Sequence, residues 1–289
     1  MKPSLRILAA SLTLLAAVGC IPEKRIAWSP DGERAAVMAE DGLYFIDAAG
    51  NVKPPHVALA SARCVWFPDG HRLLVKHTIT THNWADIKPL FSEQEATRIE
   101  DEAKTLRERI LAYQGDWKTF EFDPGKQFAP GSEVGILLCL RDKYFEGVPE
   151  KVGSQWGDLE KANADVTNLQ VFTLTDTDLQ PGATLLRSLN PVASMLVSPD
   201  SRRIAFVMPI PEGTEHPASL YVLPVEGGSP RLVTSDVAAR FDWSPDARSL
   251  AVIRSASGSH DGPDNIQLGL VTTVTVADEN GALLEEWAA

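Results

Sequence analysis

One short motif, Trp28-Ser-Pro-Asp-Gly32, constrains this chain more than any other feature, because it returns as Trp66-Phe-Pro-Asp-Gly70, Val197-Ser-Pro-Asp-Ser201 and Trp243-Ser-Pro-Asp-Ala247. Each copy is turn chemistry. Pro30, Pro68, Pro199 and Pro245 each set one φ, and Asp31, Asp69, Asp200 and Asp246 can bond back to the backbone. Gly32 and Gly70 accept a positive φ. An apolar strand follows every copy: RAAVMA, RLLVKH, RIAFVM and SLAVIR. A second strand type comes later in each unit, as LYFID at 43–47, LQVFTL at 169–174, LYVLPV at 220–225 and VTVAD at 274–278. Closing segments such as PRLVTS (230–235) and ALLEEW (282–287) complete the pattern. Strand runs separated by turn signals predict an all-β chain.

The spacing between the second and third copies is too long for one such unit, and residues 84–165 account for the excess. Ser92-Glu-Gln-Glu95 is a capping box. Ala96, Ile99, Ala103, Leu106, Ile110 and Tyr113 then step by three and four, the signature of one apolar helix stripe. Glu100–Lys104, Arg98–Glu102 and Lys104–Glu108 read as ion pairs on the wet face, and Gly115 as the stop. Segments 133–147 and 149–162 also read as helical. With this insertion removed, the units recur at roughly 40–50 residues, the period of a stacked β unit.

A unit of that length matches a four-stranded propeller blade, which cannot bury both faces without neighbours. The expected fold is therefore an all-β propeller of about four recognisable four-stranded blades, spanning residues 20–289, with a helical insertion at 84–165 within the second blade. Trp28, Trp66 and Trp243 would pack between adjacent blades, with stacking on a ligand as the alternative. The repeat of Trp-Ser-Pro-Asp-Gly, strand, and Leu-Tyr-(Val/Phe)-(Leu/Ile) resembles the TolB-like, WD40-like propeller repeats of exported bacterial proteins. The copies at 28 and 243 match well; Phe67 replaces Ser, Val197 replaces Trp and Ser201 replaces Gly in the others.

Residues 1–19 read as a leader to be excluded from the fold: Lys2 and Arg6 are followed by an apolar run from Ile7 to Val18, too short to span a bilayer. Its end, LAAVGC, resembles a bacterial lipobox, which implies lipid attachment at Cys20 and a cell-envelope location. A plain secretory signal is the alternative. Ile21 after the cysteine resembles lipoproteins sorted to the outer rather than the inner membrane. From Cys20 to a strand near Ile26 the chain reaches at most ~20 Å, which would hold the body close to the membrane. The net charge is −12, and loss of Lys2 and Arg6 makes it more negative, so nucleic acid is excluded as a partner on charge. Of three cysteines, Cys64 and Cys139 remain as either a disulfide or two buried thiols; both lie in apolar runs.

The search for chemistry ends without a catalytic or metal-binding set, and no cofactor is expected. No G-x-S-x-G elbow occurs, and GSEVG at 131–135 has its serine misplaced. Ser259, His260 and Asp261 are consecutive, whereas a triad needs side chains converging from separate segments. His77 and His82 would face opposite sides of a strand, and His56 after Pro54-Pro55 reads as loop. The turn DGPDN at 261–265 lacks the spacing of a calcium loop. The resemblance implies a non-catalytic scaffold engaging proteins of the cell envelope and reaching the membrane through lipid on Cys20. The alternatives are the propeller part of a secreted, prolyl-oligopeptidase-like hydrolase, or a small-molecule or glycan binder.

Overall fold

A computed structural model describes residues 25–39, 41–59, 63–116, 132–146, 162–175, 178–209, 218–235, 237–255, 266–272 and 287–288. They form four four-stranded antiparallel sheets. The first holds β1 (Ile26–Trp28), β2 (Arg34–Met38), β3 (Leu43–Asp47) and β4 (Val52–Val57). The second holds β5 (Arg63–Trp66), β6 (Arg72–Thr81), β7 (Ala164–Leu174) and β8 (Leu179–Ser188). The third holds β9 (Ser194–Val197), β10 (Arg203–Pro209), β11 (Ala218–Pro224) and β12 (Arg231–Ser235). The fourth holds β13 (Val237–Trp243), β14 (Ser249–Ser255), β15 (Ile266–Thr272) and β16 (Trp287–Ala288). Strands pair in chain order within every sheet, and the first strands lie beside one another, β1 against β5, β5 against β9 and β9 against β13. These are propeller blades set around a common axis.

Strand alternation gives each blade two apolar faces, and each face meets a neighbour. Ala36, Met38, Leu43 and Phe45 of the first blade pack on Trp66, Leu73 and Val75 of the second. The second blade's opposite face, with Phe67, Leu74 and Leu169, packs on Ile204 and Phe206 of the third. Ala205, Val207 and Leu220 of the third then meet Trp243, Leu250 and Val252 of the fourth.

Helices α1 (Trp84–Ile87), α2 (Glu93–Ala112) and α3 (Ser132–Cys139) lie between β6 and β7, with a π-type turn at Leu140–Tyr144. The register runs from Arg72 opposite Thr173 to Thr81 opposite Ala164, so Ala164 and Asp165 at the end of the expected insertion are strand residues. The insertion has its own core, in which Ile99, Ile110, Ile136 and Leu138 surround Trp84 and reach Ala164 and Val166. The capping box is in place: the Glu95 N–H donates to Ser92 Oγ at 3.2 Å, and the Ser92 N–H to Glu95 Oε2 at 3.0 Å. Gly115 does not end α2; the helix stops at Tyr113 in extended backbone. The Tyr113 ring folds over Gly115, where a β-carbon would lie 2.5 Å from its hydroxyl.

Two strand expectations need correction. His56 lies in β4 rather than in a loop, because β4 is an edge strand and tolerates Pro54 and Pro55 without losing internal ladder bonds. The strand paired with β14 is Ile266–Thr272; VTVAD at 274–278 lies outside the described residues. The helix expected at 149–162, the Ser259-His260-Asp261 run, DGPDN and the leader with Cys20 also lie outside or almost wholly outside them.

Candidate functional site

The repeated turns have one construction. The residue at the end of each turn donates its N–H back across it: Gly32 to Ser29 at 2.9 Å, Gly70 to Phe67 at 3.0 Å, Ser201 to Ser198 at 2.8 Å and Ala247 to Ser244 at 2.9 Å. All four have positive φ, at 73° and 71° for the glycines and 61° and 60° for Ser201 and Ala247. The serine hydroxyl donates to the aspartate in three copies, Ser29–Asp31 at 2.5 Å, Ser198–Asp200 at 2.5 Å and Ser244–Asp246 at 2.6 Å. The same carboxylates accept backbone N–H groups of Glu33, Arg202 and Arg248. Where Phe67 replaces serine, Asp69 instead accepts the N–H groups of His71 and Arg72 and pairs with the Arg72 side chain at 2.6 Å.

The predicted turn aspartates are therefore structural. The Ser29 hydroxyl, followed by the Glu33 N–H, holds Asp31 below the usual carboxylate range. Ser244 and then Arg248 do the same for Asp246. Burial pushes Asp69 and Asp200 upward, but donated hydrogen bonds and nearby arginines outweigh it, and both titrate low. The turns also touch across blades: a β-carbon on Gly70 would lie 3.4 Å from Asp31 Oδ2. Arg203 donates to the Ala247 carbonyl at 2.5 Å and lies over the Trp243 ring at 5.2 Å.

The tryptophans divide. Trp66 and Trp243 are buried between blades, and Trp66 Nε1 donates to the Ala27 carbonyl at 2.8 Å. Trp28 is 52% exposed. Cys64 and Cys139 sit in separate cores, one between the first two blades and one in the insertion, and both are free thiols. Burial pushes each up to about 12, so neither is a ready nucleophile. The disulfide alternative fails because the two side chains belong to different hydrophobic clusters. His77 is buried against Gln170 Oε1 at 3.3 Å, whereas His82 faces the Ala162 carbonyl and Arg141. They share no partner among these bonds.

One polar cluster escaped the sequence reading. Glu100 Oε1 accepts from Trp84 Nε1 at 2.8 Å, Lys88 Nζ at 2.9 Å and Lys143 Nζ at 2.9 Å. Lys143, then Lys88 and Trp84, lower its carboxyl to about 2. Glu100 thus turns toward α1 and the segment after α3, and Lys104 pairs with Asp101 instead of it. No local spacing signals this, since the donors come from positions 84, 88 and 143. Beyond this cluster α2 exposes Glu93, Arg98, Asp101, Lys104, Thr105 and Glu108, a charged ridge over a packed apolar stripe.

No family model and no curated protein matches the chain. Among solved structures, TolB from Acinetobacter baumannii is similar over 90% of this chain and 42% of its own, at 12% identity and a TM-score of 0.40. A TolB from Agrobacterium tumefaciens, described as putative, is similar over 86% of this chain and 57% of its own, at 16% identity and a TM-score of 0.39. The acylaminoacyl peptidase of Pyrococcus horikoshii is similar over 85% of this chain and 30% of its own, at 12% identity and a TM-score of 0.43. The chain thus spans about half the length of the two TolB structures and less of the peptidase.

Proposed function

We propose that this protein is a non-catalytic binding module of the cell envelope, in which the propeller is a scaffold and the helical insertion presents the surface that a partner protein reads. Lipid on Cys20 holds it at the membrane, the outer rather than the inner one. The observation that carries the reading is the insertion itself: a unit with its own core, set on the β6–β7 hairpin and exposing the charged ridge of α2. The turn aspartates, two of the tryptophans and both described cysteines are already engaged in packing or local hydrogen bonds. A rigid ridge on a rigid scaffold orders little on binding, which favours affinity.

Two measurements test this. Cys20→Ala should move the protein from the membrane fraction to the soluble one; unchanged partition refutes the anchor. A photocrosslinking residue at Thr105 or Glu108 should yield an adduct with an envelope protein, while one at Val52 on the outer edge of the first blade should not. Adducts from Val52 alone would relocate the binding surface to the blades, and turnover of a peptide substrate would replace the non-catalytic reading altogether.

A further inference from the structure

The three blade-to-blade interfaces share a plan, and its two halves are both left uncovered at the ends of the series. One half is a tryptophan-side face. The pairs Trp28–Ala35, Trp66–Leu73 and Trp243–Leu250 occupy equivalent register positions, as does Val197–Ile204. The other half is the face of the preceding blade, marked by Ala36, Leu74, Ala205 and Ala251 at equivalent places in β2, β6, β10 and β14. In the interior interfaces both halves are sealed: Trp66 and Trp243 are 7% and 8% exposed, and Ala36, Leu74 and Ala205 are all at 0%.

At the ends they are not. Trp28 is 52% and Ile26 45% exposed, with Val37, Tyr44 and Ile46 of the same face only half-buried. Ala251 on the fourth blade is exposed. The hydrophobic clusters link the first blade to the second, the second to the third and the third to the fourth; among the described residues none links the fourth to the first. The fourth blade therefore does not seal the first.

From this we infer that two copies of this chain associate head to tail, the Ala251 face of each seated on the Trp28 face of the other. A second copy is the occupant because it carries the complementary half, and this contact continues an interface the chain already makes three times, between its successive blades. An interface between unlike patches closes into a ring when its rotation permits. Propellers typically have about 4–8 blades. Two copies double the four sheets and reach the top of that range, while a third copy exceeds it. The ring would be closed by a two-fold axis, with two identical junctions. Because the chain carries a net charge of −12, salt that screens repulsion between the copies should strengthen the apolar contact.

Sedimentation velocity on the full chain, carrying Cys20→Ala so that acylation cannot drive association, tests this. The expected species has twice the mass of one chain at micromolar concentration. Trp28→Glu should weaken association at least ~10-fold (about 1.4 kcal/mol) with an unchanged melting temperature, since the side chain is exposed. Trp28→Phe should retain the dimer. Ala251→Arg should also give single chains, and mixing it with Trp28→Glu should restore a heterodimer through the one junction whose halves are both intact. A wild-type chain that stays single, whether open or closed on itself or by a further sheet, overturns the inference. So does a dimer indifferent to Trp28→Glu, or a mixture that stays dissociated, since the last outcome means that like patches meet like.

Discussion

The blades and the insertion bury comparable side chains but hold them together in different ways. In the blades stability is distributed. Each interface repeats one plan, each turn repeats one hydrogen-bond set, and the loss of serine at Phe67 is absorbed by two other donors to Asp69. The insertion has one core and one polar node, where Trp84, Lys88 and Lys143 meet a single oxygen of Glu100. Redundancy should make the blades tolerant of local damage and cooperative with one another. A single node should make the insertion fail as a unit.

The largest expected effects come from truncating the central aromatic of each region. Phe206 is fully buried between the second and third blades, and Trp84 is 1% exposed in the insertion. Aromatic-to-alanine changes at such sites cost about 3–5 kcal/mol. Phe206→Ala should lower the main thermal transition. Trp84→Ala should instead produce a separate, earlier loss of helical circular dichroism, with the sheet signal melting near its original temperature. A single transition shifted equally by both variants would show that the insertion and blades are one cooperative unit, and the contrast would fail.

A smaller effect separates the polar node from its core. The Glu100 carboxyl lies at about 2 in the folded chain against an ordinary 4.5, through Lys143 first, then Lys88 and Trp84. A lowered folded value stabilises the folded state above the ordinary value and loses that stabilisation as pH falls through the folded one. Helical signal should therefore decline between about pH 4.5 and pH 2 before the sheet does. Both lysines are half exposed and screened, so Glu100→Gln should cost about 1–2 kcal/mol at neutral pH and flatten the acid limb. If the acid limb persists in Glu100→Gln, the turn aspartates carry the acid sensitivity, and the blades are the weaker region.

The same contrast explains what could be read from the sequence. The blades were legible because repetition multiplies the signal: four turns, each with proline and aspartate at fixed offsets, identify β2, β6, β10 and β14 directly. The α2 stripe was legible because its period is local. What escaped depends on long-range meetings. Glu100 looked like a partner for Lys104, four residues on, and instead binds groups from three other segments. The β8 strand was missed because Pro181 and Gly182 interrupt it, which a bulged outer edge strand tolerates. The difference between Trp28 and its two relatives had no local signal at all; only the neighbouring blade decides whether a tryptophan is covered.

The smallest effects probe the redundancy of the turns. A residue other than glycine in the left-handed region costs about 1–2 kcal/mol, and glycine returns roughly 0.5–1 kcal/mol of that through a freer unfolded chain. Gly32→Ala should therefore destabilise by about 1 kcal/mol, and the cost is conformational, because a β-carbon there meets nothing within 4 Å. The reverse changes, Ser201→Gly and Ala247→Gly, should stabilise by up to about 1 kcal/mol each. Ala247 is a stricter test, since it is buried while Ser201 is partly exposed. Its carbonyl accepts from Arg203 across the third interface. Chemical denaturation of the single and double variants would read the sums. Additive gains fit independent turns. A loss on Ala247→Gly would mean that its methyl group helps to set the Arg203 contact, so that in the blades, too, one residue can serve a junction and not only its own turn.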